Sequence, residues 1–170
     1  INYNKPNGLF REYSNENRIN CVWASPEGNF WMGDGVGNVI ASGSHNLPEK
    51  KPVNLDGSND VEYQYQVQHS GMGSIDLIWG TSDRNVWMYS AEGRATNYNG
   101  KNYTTHELAP DLNFLTGLNE NFIIAGGDKS NLWFYNGNKW AKIELDLNEE
   151  YYLNEVYIQD TDTIYIVSRN

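Results

Sequence analysis

Apolar and polar residues alternate along this chain in short runs, and the runs recur in a fixed order. Residues 75–87 line up with residues 19–31, so that Ile75 matches Ile19, Trp79 matches Trp23 and Trp87 matches Trp31. Two fainter copies run from 112 to 124 and from 153 to 166. Period-two alternation over such short stretches predicts half-buried β-strands. Each copy divides into four strands. Strand A is expected at 19–23, 75–79, 112–116 and 153–157, and strand B at 30–33, 86–90, 122–125 and 164–168. Strand C is expected at 39–42, 95–98, 132–135 and 1–4, and strand D at 61–68, 103–108, 140–145 and 9–14.

The connections support this division. Asn, Asp, Ser and Gly fill the A–B turns at 25–29, 82–85, 119–121 and 160–162, and these side chains bond their own backbone. Asn99-Gly100 and Asn136-Gly137 stand between strands C and D, the pairing that hairpins favour, and Lys5-Pro6-Asn7-Gly8 takes the same place near the N-terminus. The first copy departs from the pattern. Residues 43–60 form an insertion holding Pro48, Lys50, Lys51 and Pro52, either a tolerated surface loop or a partner-binding one.

The last copy holds only strands A and B, and the matching C and D strands stand at the other end of the chain. Complementary halves at the two ends predict an all-β ring, a four-bladed β-propeller closed by pairing N-terminal with C-terminal strands. The whole of 1–170 is then one domain. Blade 1 covers about 19–70, blade 2 about 75–108, blade 3 about 112–145, and blade 4 about 153–170 plus 1–14. Closure buries both faces of each blade, whereas an open ring would leave two aromatic faces wet and several sheet edges unpaired.

Composition narrows the function classes. A net charge of −10 disfavours nucleic acid and anionic membrane surfaces, and no apolar run is long enough to span a membrane. A single cysteine, Cys21, excludes an internal disulfide. The absence of an initiator Met reads as a product trimmed from a longer precursor. Abundant Asn, with 12 Tyr and 6 Trp and few Lys, suits an extracellular or cell-surface protein. Asn102-Tyr103-Thr104 matches a glycosylation sequon on a C–D turn.

Candidate chemistry lies at repeated positions. The second residue of strand A is Asn20, Asp76, Asn113 and Asn154, polar in every copy. Strand A is innermost in a propeller, so these four should collar the axis. They would hold water and satisfy the tunnel mouth, or bind a cation through hard oxygen ligands. Calcium suits them better than zinc, because no His or Cys lies in register. The B–C loops carry Asp34 and Arg94, then Asp128 and Lys129, on the end of the ring that D–A loops share, with His69 and Asp111 nearby. A Gly-rich stretch at 33–38 precedes no helix, so it is no dinucleotide fingerprint. Trp23, Trp31, Trp79 and Trp87 should pack between blades. Trp133 and Trp140 flank a hairpin, where they cover the blade edge or offer a stacking platform for a sugar.

Catalysis needs converging groups. His45, His69 and His106 are scattered, and acidic pairs such as Glu149–Glu150 fall in connections. A carboxylate pair over the channel, with Asp76 as one member, is the remaining route to a glycosidase.

The unit resembles a repeat of secreted bacterial β-propellers that runs Val-Trp-Gly-(Ser/Thr)-Ser, then (Asp/Asn)-Val-Trp, then Tyr-(Asp/Asn)-Gly and a closing Trp. Ile78, Trp79, Gly80, Thr81 and Ser82, then Asn85, Val86 and Trp87, then Tyr98, Asn99 and Gly100 carry the match. Residues 22–31 and 134–140 match less fully. The Asp-box of sialidase-type propellers does not recur. The resemblance implies a scaffold of many uses, so it speaks for fold more than for ligand. The expectation is a non-enzymatic module that recognises a glycan or a protein through the loop face. The rivals are a structural domain of a larger assembly and a glycan-acting hydrolase or lyase.

Overall fold

A computed structural model describes residues 2–3, 10–11, 17–42, 65–69, 71–146 and 151–169. The insertion at 43–60, and parts of the expected strands 1–4, 9–14 and 61–68, lie outside these residues. What is described is all-β. The one helical piece among the described residues is a 3-10 turn at Asp128–Ser130, so no helix there is long and apolar enough to cross a membrane.

The strands follow in chain order. β1 (Asn2–Tyr3) pairs antiparallel with β2 (Phe10–Arg11). β3 (Ile19–Ala24), β4 (Phe30–Asp34), β5 (Val39–Ser42) and β6 (Tyr65–His69) form a four-stranded meander. β7 (Ile75–Ser82), β8 (Asn85–Ser90), β9 (Arg94–Tyr98) and β10 (Tyr103–Glu107) form the second. β11 (Leu112–Asn119), β12 (Phe122–Gly127), β13 (Leu132–Tyr135) and β14 (Trp140–Lys142) form the third. β15 (Tyr152–Ile158) and β16 (Ile164–Arg169) pair as a hairpin. Among the described residues, no ladder joins β1 or β2 to β16.

The turns form as their residues dictate. Asn99 Oδ1 accepts from the N–H groups of Lys101 and Asn102, and Asn136 Oδ1 accepts from those of Asn138 and Lys139. Gly100 and Gly137 sit at φ 89° and 88°, which a side chain would strain.

Period-two alternation sends neighbouring residues to opposite faces, and the sheets stack through those faces. In β8, Val86 and Met88 join Trp31, Val39, Ala41 and Ile75 in one core, while Trp87 and Tyr89 join Leu115, Ile123 and Ala125 in the next. In β12, Ile124 turns the other way and meets Phe114, Leu132 and Leu153 in a third core. The innermost strands touch in series: β3 on β7, β7 on β11, β11 on β15. At each of the three junctions an apolar layer lies between two sheets.

Candidate functional site

Each inner strand carries a β-bulge near its start, and there the unpaired residue is in every case the repeated polar one; β7 and β11 carry a second irregularity near their ends, at Thr81 and Leu118. Pairing skips Asn20 between Ile19 and Cys21, Asp76 between Ile75 and Leu77, Asn113 between Leu112 and Phe114, and Asn154 between Leu153 and Glu155. A bulge bends the strand and re-aims one side chain. A polar residue there escapes the apolar layers on both sides, which explains why the position is polar in four otherwise apolar strands.

Two of the four side chains, Asn20 and Asn113, bond toward the following inner strand. Asn20 Nδ2 donates to Asp76 Oδ1 at 3.2 Å and to Ser74 Oγ at 2.9 Å, and Ser74 Oγ also bonds Asp76 Oδ1 at 2.9 Å. Asn113 Nδ2 donates to the carbonyl of Leu153 at 3.0 Å and to Asp128 Oδ1 at 3.3 Å. Asn113 and Asn154 remain exposed. The Asp76 carboxylate is thus met by an amide and a hydroxyl. Among the described residues, no three His, Cys, Asp or Glu gather as a metal cluster would require.

The loop residues occupy the same end of the sheets. Ile19, Ile75 and Leu112, which open the inner strands, lie opposite Asp34, Ser90 and Gly127, which close the next ones. The bulges and the B–C turns therefore share one end. Asp34 is fully buried there. Burial alone would raise its carboxyl, but the N–H groups of Asn38 and Val36 and the amides of Asn38 and Asn17 outweigh it and hold the group below its usual range. Asp34 thus builds the turn. Arg94 donates to the Met72 carbonyl at 2.9 Å and pairs with Glu92, tying the D–A connection to the B–C turn. Asp128 bonds Asn113, and exposed Lys129 stands at φ 55° beside Ser130 at φ 54°. Ser130 in turn donates its N–H to the Tyr151 carbonyl at 2.7 Å and accepts the Tyr151 N–H on Oγ at 2.9 Å. Asp111 stands at φ 60° and accepts from the Asp128 N–H. Asp34, Arg94 and Asp128 make no hydrogen bonds to one another among the described residues. The side chain of His69 lies outside them.

Trp133 and Trp140 belong to the core between the second and third sheets. Trp140 stands edge-on to Trp87 at 5.4 Å and tilted against Tyr135 at 5.4 Å, at the C–D end of its sheet, away from the bulges. Trp31 is buried in the core between the first and second sheets, and Trp87 in the core between the second and third. His106 completes this cluster, 5.6 Å from Trp87, and its burial lowers its pKa. Cys21 lies against Ile75, its Sγ 3.5 Å from that residue's carbonyl oxygen; burial pushes its thiol up to about 12, which leaves it inert.

Sequence reasoning passed over one polar network. Asp83, buried in the β7–β8 turn, accepts from Trp31 Nε1 at 2.9 Å and from the Asn29 amide, while its own N–H donates to Glu27 at 3.2 Å. A repeated Trp with an acid in the next unit's A–B turn was the available signal. Compared with protein-family models and with curated proteins, the sequence matches none.

Proposed function

We propose that the chain is a four-bladed propeller of the secreted bacterial type, whose β1–β2 hairpin completes the blade begun by β15–β16, and that it works outside the cytoplasm as a non-catalytic binding module. Its ligand is a glycan, or failing that a protein partner, held at the end where the bulges and the B–C turns meet. The observation that carries this reading is the fourfold bulge. One polar side chain per inner strand is turned out of the apolar layers at the same level. Two of them, Asn113 and Asn154, are exposed amides, and Asn113 bonds Asp128, which Lys129 follows in the chain. Amides and carboxylates in a fixed array suit the paired donors and acceptors of sugar hydroxyls. The turns that carry them are braced by Asp34 and by the Ser130–Tyr151 contacts, so little ordering accompanies binding. The same array offers hard oxygen ligands to a cation, calcium before others. The non-catalytic reading is supported by the use of Asp34 as a turn brace and by the burial of His106 among aromatic rings.

A glycan array followed by titration of the best ligand tests the binding. Saturable binding that falls at least about tenfold in Asn113→Ala with Asn154→Ala is expected, as for the loss of two or more hydrogen bonds. Silence across the array, or binding indifferent to both substitutions, overturns the glycan reading.

A further inference from the structure

Counting from the bulge exposes a rule of paired sizes. The third residue after it is Trp23, Trp79, Thr116 and Tyr157 in the four inner strands, and the fourth is Ala24, Gly80, Gly117 and Ile158. The third residue points toward the next sheet and the fourth toward the preceding one. At the first junction a Cβ added to Gly80 would stand 2.9 Å from Trp23 Cη2. At the second, a Cβ on Gly117 would stand 2.8 Å from Trp79 Cη2. Each indole lies where the facing strand has no side chain. At the third junction the sizes are reversed: small Thr116 is in register to face Ile158, which packs in the third core. Large meets absent twice, and small meets large once.

Two positions remain over, Tyr157 and Ala24, and both are exposed. Tyr157 is register partner to Tyr165, as Trp23 is to Trp31 and Trp79 to Trp87. Tyr157, Tyr165 and Val167 are 65%, 56% and 59% exposed on the far face of β15–β16, and Val22 is 61% exposed on the far face of β3. Corresponding residues inside the stack are covered: Trp87 is 1% exposed, and Met88, which corresponds to Met32 beside Val22, is 0%.

We propose that these two faces meet within one molecule as a fourth junction, with Tyr157 seated on Ala24 and with Tyr165 and Val167 covering Val22 and Met32. A ring smaller than indole then faces a residue one carbon larger than glycine, which keeps the rule of paired sizes. The occupant is the chain's own first sheet, because β3, β7, β11 and β15 touch in series, these two faces are the ends of that series, and in a closed ring the series returns to β3. The assignment rests on the closed-ring reading and adds the contact that seals it.

A double-mutant cycle tests it, read by denaturant unfolding and by sedimentation of each variant. Tyr157→Trp should destabilise alone, and adding Ala24→Gly should recover about fivefold or more in the folding equilibrium beyond additivity, in a monomer. Should Tyr157→Trp prevent folding, Tyr157→Ala with Ala24→Leu reverses the sizes, as Thr116 and Ile158 do, and the second change should recover what the first loses. Additive effects in both cycles overturn the contact. So does coupling that depends on protein concentration, since a second copy would then supply the face. Removing residues 1–14 separates this from the ring itself. Loss of stability on removal, together with additive cycles, leaves the ring closed through other residues, whereas no loss and no coupling overturn both.

Discussion

The first and second junctions use the same tryptophan to different ends. Trp31 and Trp87 occupy the same register and are equally buried, at 0% and 1% exposure. Trp31 Nε1 donates to Asp83 in the turn of the following sheet. The matching turn of the third sheet offers Glu120, which is exposed, and Trp87 Nε1 finds no acceptor. Trp87 packs instead among three rings, Tyr135 edge-on at 4.8 Å, Trp140 edge-on at 5.4 Å and His106 tilted at 5.6 Å, while Trp31 adds Tyr98, tilted at 5.4 Å, to its bond. The first junction's tryptophan combines a directed, charge-assisted bond with ring packing, and the second's has ring packing without such a bond. A repeat therefore conserves where a side chain goes and not how its polar atom is satisfied.

The largest effect should come from removing the directed bond. Asp83→Ala leaves the Trp31 indole N–H and the Asn29 amide without their carboxylate, and should cost about 1–3 kcal/mol in chemical denaturation. Glu120→Ala at the equivalent turn should change stability by less than about 0.5 kcal/mol, as for other surface substitutions. Equal costs at the two turns would end the distinction.

A smaller contrast follows at the tryptophans themselves. Both Trp31→Phe and Trp87→Phe lose ring area, but only the first takes a donor away from a buried carboxylate. Trp31→Phe should therefore cost more than Trp87→Phe by about 1–2 kcal/mol under the same conditions. Equal losses would mean that the bond to Asp83 adds nothing beyond packing.

The smallest effect is a dependence on pH at the second junction. Burial holds the His106 imidazole below its ordinary value of 6.5, so the fold favours the neutral ring. As pH falls through 6.5 the unfolded chain takes up the proton first, and stability is lost as pH drops toward the folded value. His106→Phe keeps a ring against Trp87 and should flatten the fall in melting temperature between pH 7.5 and 5.5. An unchanged slope would show that the imidazole titrates alike in both states.

The contrast also marks what was legible in the sequence. The strands were readable because period-two alternation is written into each segment locally, and expected strands at 75–79 and 112–116 appear as the opening parts of Ile75–Ser82 and Leu112–Asn119. The Asn-Gly turns were readable for the same reason. The polar position of strand A was visible, but its cause was not, since a bulge exists only relative to a partner's register. The bond from Trp31 to Asp83 spans 52 residues, and nothing local to either residue announces it. Trp133 and Trp140 could be placed on a hairpin, yet only the stacking of two sheets decides that both face inward. The pairing of the two chain ends, inferred from complementary halves, belongs with the proposed closure.

The bulge has one more consequence, for how such a chain can change in length. An extra residue in one strand inverts the parity of everything beyond it, so Trp79 reaches its own junction only because Asp76 stands outside the count. Deleting Asp76 would exchange the destinations of Ile78 and Trp79, sending each into the neighbour's layer. Growth by duplication of whole units carries the offset along and keeps every later side chain in phase. The inner strands can thus be multiplied, but a single codon cannot be added to or removed from them without turning the sheet inside out.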